Sequence, residues 1–513
     1  MVAVDKISDP ILAAKTYPQF LRAVALAYED APAVILRRPG IADQSLSYRD
    51  LESRSASLAR GLLARGIGKG TRIGFIFGNG PEFVLIFSAL ARIGAVAIPI
   101  STLLKSNELV RVLRQADLTG LIVQRSLLGN DYADRMCEAL PGLLTGHSPE
   151  LRLEQTPYLR WIVSTGPDLP QTFRDFSWLS DEAGTVDESL LEEVEREVHS
   201  TDQLVEIYTS GSMALPKGVR HDHGPAIFRG HWIRAQMGLR TGEVYCPLPM
   251  FWVGGLMISL LPNMEMGVAS LCSEGTPISS RYAMGSVLAP EDLAEMKQTP
   301  PFWGLGMSET LGPYALGKEF RAPGYPVCAP LDIVADRFEM RVADANGRPV
   351  ADREIGEIQV RGYALSPGLH KIEREEYYTA DGFYHTGDLG LVEGERVHFV
   401  GRDGDMIKSA GSNVSPAEVE MEMQALDGIH SAYVVGLPDA ERGQLVAAAI
   451  VPREGSSIDP DAIQKELRQK LSPYKVPQAY ILLTRDEVPM LFSNKVDRRR
   501  IRTLTAERLG RSL

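Results

Sequence analysis

The eleven residues Tyr208-Thr-Ser-Gly-Ser-Met-Ala-Leu-Pro-Lys-Gly218 constrain this chain more than any other stretch. They have the make-up of a phosphate-holding loop. The small residues Ser210, Gly211 and Ser212 let backbone N–H groups approach an anion. Thr209, Ser210 and Ser212 add hydroxyl donors, and Lys217 adds a point charge. The Walker spacing G-x-x-x-x-G-K-[ST] is absent. The plainer reading of the same residues is a Ser/Gly turn before a strand.

What surrounds the loop favours an α/β fold. Leu46 to Arg65 opens with a Ser47 cap signal, carries Asp50 in its first turn and runs with helical apolar spacing. Arg72 to Phe77 reads as a buried strand, Pro81 to Ile93 as a helix and Ala95 to Pro99 as another strand. Leu121 to Gln124, Trp161 to Ser164 and Val205 to Tyr208 continue the strand pattern. Strands alternating with helices predict mainly parallel, doubly wound sheets. The loop then leaves the C-terminal end of a strand, where such sheets bind ligands. Residues 338 to 400 read instead as a small β-rich subdomain of short alternating runs. From Arg402 onward the pattern is a smaller α+β domain, with helices at Pro416 to Ala425 and Pro460 to Leu471. The predicted division is therefore 1–401 and 402–513, with the boundary in Gly401-Arg402-Asp403-Gly404.

With 513 residues, two or more domains are expected. The net charge of −12 argues against bulk nucleic-acid or anionic-membrane binding, while leaving room for local phosphate sites. The four cysteines, Cys137, Cys246, Cys272 and Cys328, show no CxxC spacing. A zinc pattern or disulfide framework is not expected, and a reducing cytoplasm fits. The N-terminus lacks a cationic start followed by an apolar run, so no secretory signal is read. The most apolar patch, Phe251 to Leu261, is too short to span a membrane and is followed by Pro262.

Four later segments join the loop in one resemblance. Gly304-Leu-Gly-Met-Ser-Glu-Thr310, Tyr384-His-Thr-Gly-Asp-Leu-Gly390, Gly401-Arg-Asp-Gly-Asp-Met-Ile-Lys-Ser-Ala-Gly-Ser-Asn-Val-Ser-Pro-Ala-Glu-Val-Glu420 and Val488-Pro-Met-Leu-Phe-Ser-Asn-Lys-Val-Asp-Arg498 stand in order along the chain. Together they resemble the signature motifs of the adenylate-forming enzymes, in their acyl- and aryl-CoA synthetase branch. The third segment is the most specific match. The loop departs from the family pattern at Met213 and Ala214, and Asn494 stands where the family has Gly.

The resemblance implies roles. ATP and AMP would be bound by Thr209, Ser210, Gly211, Ser212, Lys217, Gly304, Ser308, Glu309, Asp388 and Arg402. Glu309 would associate with Mg2+, a hard cation that needs oxygen ligands. Asp388 would accept bonds from the ribose hydroxyls. Lys495 would be the lysine of adenylation, placed between two anionic reactants. Lys408 would face the site in the second half-reaction, with Ser409, Gly411 and Asn413 lining the path for CoA. Gly404 would be the hinge of a mobile C-terminal domain, where glycine tolerates a change of φ/ψ. Read without the resemblance, Lys495 belongs to a solvated basic tail and Asp388 to a β-turn.

Pro247-Leu-Pro-Met-Phe-Trp-Val-Gly-Gly255 resembles the family's acid-pocket motif, with Trp252 in place of a His. Trp252 and Gly304 would border the acid. A Trp cannot pair an ammonium group, which favours an acid without an α-amino group, fatty or aromatic. The expected reaction is adenylation of the acid, then transfer to CoA with release of AMP. One departure is large. Gly285-Ser-Val-Leu-Ala-Pro290 looks like the family's loop before the magnesium motif, and only Ala269 to Met284 separates it from the acid-pocket region. By comparison roughly 40–60 residues, about one βα unit, are missing. Two alternatives stay open: transfer to a carrier protein in place of CoA, and a non-catalytic relative disabled by the deletion near 269–284. Assembly is also left open, a homodimer included.

Overall fold

The computed structural model describes residues 9–209, 216–237, 242–246, 248–274, 303–317, 329–344, 346–403, 406–409, 412–414, 416–439, 442–471, 473–490 and 496–512. The chain divides into two compact units. The first comprises Met1–Gln298, Leu305–Tyr314 and Gly362–Glu376; the second comprises Thr299–Gly304, Ala315–Arg361 and Tyr377–Leu513.

The first unit is built on two sheets. A seven-stranded sheet has the order Lys217–Asp222, Gln203–Thr209, Val96–Pro99, Arg72–Ile76, Gly120–Val123, Trp161–Ser164 and Phe173–Asp175. Its strands pair in parallel from Gln203–Thr209 through Phe173–Asp175. Lys217–Asp222 instead runs antiparallel to Gln203–Thr209. A four-stranded sheet follows the order Glu243–Tyr245, Ala269–Ser273, Pro32–Arg38 and Ile41–Ser47. The α/β class expected from the alternating pattern is therefore observed, with element ends shifted by a residue or two, the usual scatter of helix and strand limits.

The helix Pro81–Arg92 shows how the sequence dictates its place. PEFVLIFSALAR is apolar on nearly every face, and a helix of that kind must be buried all round. It packs on strands of both sheets. Its only basic residue, Arg92, sits in the last turn, where a cation suits the helix dipole. Although buried, Arg92 is paired with Glu195 at 2.6 Å and Glu52 at 2.8 Å. The helix Tyr48–Ala64 starts as its cap signal predicts, with Ser47 Oγ accepting from the Asp50 N–H at 3.0 Å.

The second unit holds two five-stranded sheets. One has the order Ala329–Leu331, Arg396–Arg402, Tyr384–Glu393, Ile355–Gly362 and Phe338–Ala343, and accounts for the β-rich pattern of 338–400. The other centres on Gly443–Pro452, flanked by Ile429–Asp439, Ile407–Ser409 and Ala479–Leu482, with Ser412–Val414 at its edge. Period-two alternation feeds two cores from this central strand. Val446, Ala448 and Ile450 pack with Val419, Met423, Ile463 and Leu467. Ala447, Ala449 and Val451 pack with Ile501 and Ala506.

The apolar patch Phe251 to Leu261 becomes a π-helix, Gly254–Leu260, continued by the α-helix Leu261–Met266. Pro262 does not stop it, because proline is tolerated in a first turn. Among the described residues no helix is long and apolar enough to cross a membrane. At the shortened stretch, Ala269–Ser273 is paired in parallel on both edges, to Pro32–Arg38 and to Glu243–Tyr245, so its backbone groups are satisfied. Gly285–Pro290 lies outside the described residues.

Candidate active site

The phosphate-type loop is pinned at its two ends. Thr209 and Lys217 face each other as the last register partners of the antiparallel pair, which fixes the backbone on either side of the loop. Ser210, Gly211 and Ser212 lie outside the described residues. Gly218 is required by close approach: a Cβ there would meet Glu206 Oε1 at 2.6 Å and the Tyr208 ring at 2.9 Å. Glu206 is fully buried and is paired with Arg72 Nη2 at 2.7 Å. Burial also holds the Tyr208 phenol well above its ordinary range. On the other side of the strand, the Gly218 carbonyl accepts from the His370 N–H at 2.8 Å, and Ser366 Oγ donates to the Arg220 carbonyl at 2.8 Å.

The same strand reaches the Glu309 turn. His221 Nε2 lies 2.7 Å from the Ser308 carbonyl. A carbonyl only accepts, so Nε2 carries the proton; burial pushes the imidazole down to about 3 and keeps it neutral. Ser308–Thr310 forms one 3-10 turn, and the Glu309 carbonyl accepts from the Ser366 N–H at 2.7 Å. Glu309 is largely buried. Loop base and carboxylate turn are thus joined through His221 and Ser366, neither of which the motif spacing singles out. Gly304 is exposed on the strand Trp303–Met307.

Trp252 is half-buried and stacks edge-on against Phe251, with ring centroids 5.2 Å apart and planes at 75°. The Trp252 backbone N–H donates to the Pro249 carbonyl at 3.1 Å. Gly255 sits where a Cβ would lie 2.2 Å from that carbonyl, so the turn into the π-helix needs glycine there. Asn79, another residue the motifs do not reveal, bonds both Leu248 and Met250 of this segment.

The remaining candidates belong to the second unit. Asp388 is buried, and Arg402 Nε lies 2.8 Å from its Oδ1, so the two expected nucleotide contacts are paired with each other. Lys408 and Asn413 are register partners in the hairpin of Ile407–Ser409 with Ser412–Val414. Ser409 is buried and pairs with Gly443. Gly404, Gly411 and Lys495 lie outside the described residues.

Comparison with known proteins agrees with these motifs. The model described as AMP-binding enzyme matches residues 21–284, and the AMP-binding enzyme C-terminal domain matches residues 418–495. A putative acyl-CoA synthetase YngI of Bacillus subtilis (strain 168) is 26% identical, over 96% of this chain and 97% of its own length. A feruloyl-CoA synthase of an Amycolatopsis species is 27% identical, over 90% of this chain and 94% of its own. The crystal structure of the anthranilate CoA ligase AuaEII with anthranoyl-AMP superposes with a TM-score of 0.77 at 19% identity, covering 96% of this chain and 98% of that one. The paired sheets, the pinned loop base and the motifs in their order thus meet in one family, and the chain belongs to the AMP-binding enzymes, the adenylate-forming group.

Proposed function

We propose that this chain is an AMP-forming acid–CoA ligase. It joins a carboxylic acid to ATP, giving acyl-AMP and pyrophosphate, and then passes the acyl group to the thiol of CoA with release of AMP. The observation that carries the reading is the link between the base of the phosphate-type loop and the Glu309 turn through His221. The naming of its relatives as CoA synthetases and ligases supports the acceptor.

The residues divide the work. The loop from Thr209 to Lys217 cradles phosphates, Asp388 takes the ribose hydroxyls and Arg402 holds that carboxylate beside the nucleotide. Glu309 is a single, largely buried carboxylate on a turn fixed through its backbone, and the described residues contain no cluster of three or more metal-ligating side chains. That donor set fits Mg2+ held mainly by nucleotide phosphates and water. When bound, Mg2+ offsets charge on the phosphates. Lys495 lies between carboxylate and α-phosphate in the first step; residues 402–513 then turn about Gly404 and bring in the Lys408 hairpin for CoA, with Ser409, Gly411 and Asn413 along its path. Trp252 and Gly304 border an acid without an α-amino group, because an indole offers no carboxylate to pair a substrate ammonium.

The test is pyrophosphate release from ATP with a panel of fatty and aromatic acids, with and without CoA. Acid-dependent release that rises with CoA is expected. Release that CoA does not change, followed by loading of a carrier protein, would replace the acceptor. A folded protein that binds ATP and releases no pyrophosphate with any acid would overturn the reading.

A further inference from the structure

The acid-pocket motif has a tether that its own sequence does not contain. Asn79 lies between the strand Arg72–Ile76 and the helix Pro81–Arg92, at the C-terminal edge of the seven-stranded sheet. Its Nδ2 donates to the Leu248 carbonyl at 2.8 Å, and its Oδ1 accepts from the Met250 N–H at 2.7 Å. One amide therefore satisfies a carbonyl and an N–H two residues apart, a job that needs a donor and an acceptor on one short side chain. The anchor is stiff, because the helix that follows is buried on nearly every face. Met250 is fully buried, so its N–H would lack a ready replacement in water.

Behind the tethered segment there is room to move. A crevice of about 200 Å³ is lined by Asn79, Phe77, Tyr245, Pro249 and Phe251 among others. Phe251 faces this space and its ring supports Trp252 at 5.2 Å. Without the amide, Leu248 to Phe251 can settle back into the crevice and carry Trp252 with them.

From these contacts the geometry assigns Asn79 as a positioning residue that sets the depth of the acid pocket through Leu248 and Met250. The inference rests on the placement of Trp252 at the acid pocket given above. Both hydrogen bonds of the Asn79 amide run to the acid-pocket segment, so its influence is expected on the acid rather than on ATP.

The test compares Asn79→Ala, Asn79→Asp and Trp252→Ala with the unaltered enzyme. Pyrophosphate release is followed with hexanoate, octanoate, dodecanoate and benzoate, and KM is determined separately for acid and ATP. Loss of two hydrogen bonds is expected to raise the acid KM on the order of tenfold in Asn79→Ala. The ATP KM stays within about twofold, and relative kcat/KM shifts from hexanoate towards dodecanoate. Asn79→Asp keeps the acceptor, loses the donor and turns a charge towards the Leu248 carbonyl. It moves the acid KM in the same direction and decides the matter if the alanine variant does not fold. Equal changes in acid and ATP KM, or an unchanged acid preference, would overturn the tether. If Trp252→Ala also leaves the acid KM and preference alone, the pocket assignment itself falls; if Trp252→Ala moves them and the Asn79 variants do not, only the tether falls.

Discussion

Arg402 Nε lies 2.8 Å from Asp388 Oδ1, with the carboxylate side chain 1% exposed and the guanidinium side chain 54% exposed. The pair joins two motifs through adjacent antiparallel strands, in which Asp388 and Arg402 are register partners. Thr386 Oγ1 also accepts from the Asp388 N–H at 3.0 Å and fixes the backbone there. The pair orients Asp388, and a carboxylate has the capacity to accept several hydrogen bonds. Asp388→Asn should raise the ATP KM by roughly 10–100-fold, since charge-assisted bonds become neutral ones. Arg402→Ala should do so less, because its guanidinium is half in solvent. Steady-state kinetics with ATP varied at fixed acid checks both; an unchanged KM in Asp388→Asn would remove Asp388 from the nucleotide site.

A second ion pair braces the two segments that carry the lysines. Arg498 donates to both oxygens of Glu420, at 2.8 and 2.7 Å, and Glu420 Oε1 also accepts from the Val434 N–H at 2.7 Å. Arg498 follows Lys495 by three residues, and Glu420 ends the motif that begins at Gly401 and contains Lys408. Arg498→Ala leaves a buried carboxylate short of its cation, and after allowance for the partly exposed guanidinium the loss should be about 1–3 kcal/mol. Both half-reactions should slow. Thermal unfolding together with separate assays of acyl-AMP formation and CoA transfer gives the answer; a variant that unfolds as the unaltered protein does, with both steps intact, contradicts the brace.

How much of this was legible in the residues depends on the range of the interaction. The helix at Tyr48–Ala64 is local: a capping serine, an acidic first turn and a 3.6-residue apolar period lie within one segment. The strands of the parallel sheet are equally plain, because buried strands are short apolar runs between turn signals. Thr209, Glu309 and Asp388 sit in motifs that can be read as strings. Asn79, Glu206 with Arg72, and His221 with Ser308 are different. Their partners are distant in sequence and are chosen by packing, so no period or spacing marks them. The antiparallel course of Lys217–Asp222 and the π-helix Gly254–Leu260 were likewise hidden, since each depends on what its neighbours leave unpaired.

His223 offers a pH-dependent signature. Its Nδ1 accepts from the Tyr17 N–H at 3.1 Å, so the proton sits on Nε2, and burial pushes the ring down to about 3. Asp202 opposes that shift and Lys69 reinforces it. The unfolded chain binds a proton near pH 6.5 that the folded chain refuses until about 3. Stability from this group is therefore complete above about pH 6.5 and falls as the pH is lowered, by at most ~1.4 kcal/mol per pH unit. The neighbouring Asp222 carboxyl, raised to about 6 by burial, acts with the opposite sign: its contribution is lost as pH rises towards 6. His223→Asn keeps an acceptor for the Tyr17 N–H and removes the titration, while Asp222 remains in both proteins. Urea unfolding between pH 4 and 7 should show a shallower fall on acidification in the variant. Parallel curves for the two proteins would mean that His223 is protonated in the folded state.

The two lysines separate the half-reactions. Lys495 is assigned to the step in which an anionic carboxylate meets an anionic α-phosphate, where a fixed cation stabilises charge that develops only in the transition state. Lys408 is assigned to the hairpin that serves CoA, and its register partner Asn413 lies on the facing strand. Lys495→Ala should lower acyl-AMP formation by roughly 100-fold or more, by analogy with loss of a single electrostatic stabiliser. Transfer from supplied acyl-AMP to CoA should persist in that variant. Lys408→Ala should show the reverse: pyrophosphate release near that of the unaltered enzyme, with thioester formation slowed. Rapid-quench measurement of acyl-AMP and acyl-CoA in one reaction follows both steps. A chain disabled by its short 269–284 stretch would give neither product before any lysine is changed. Equal loss of both steps in both variants would sink the division of labour while leaving the ligase itself standing.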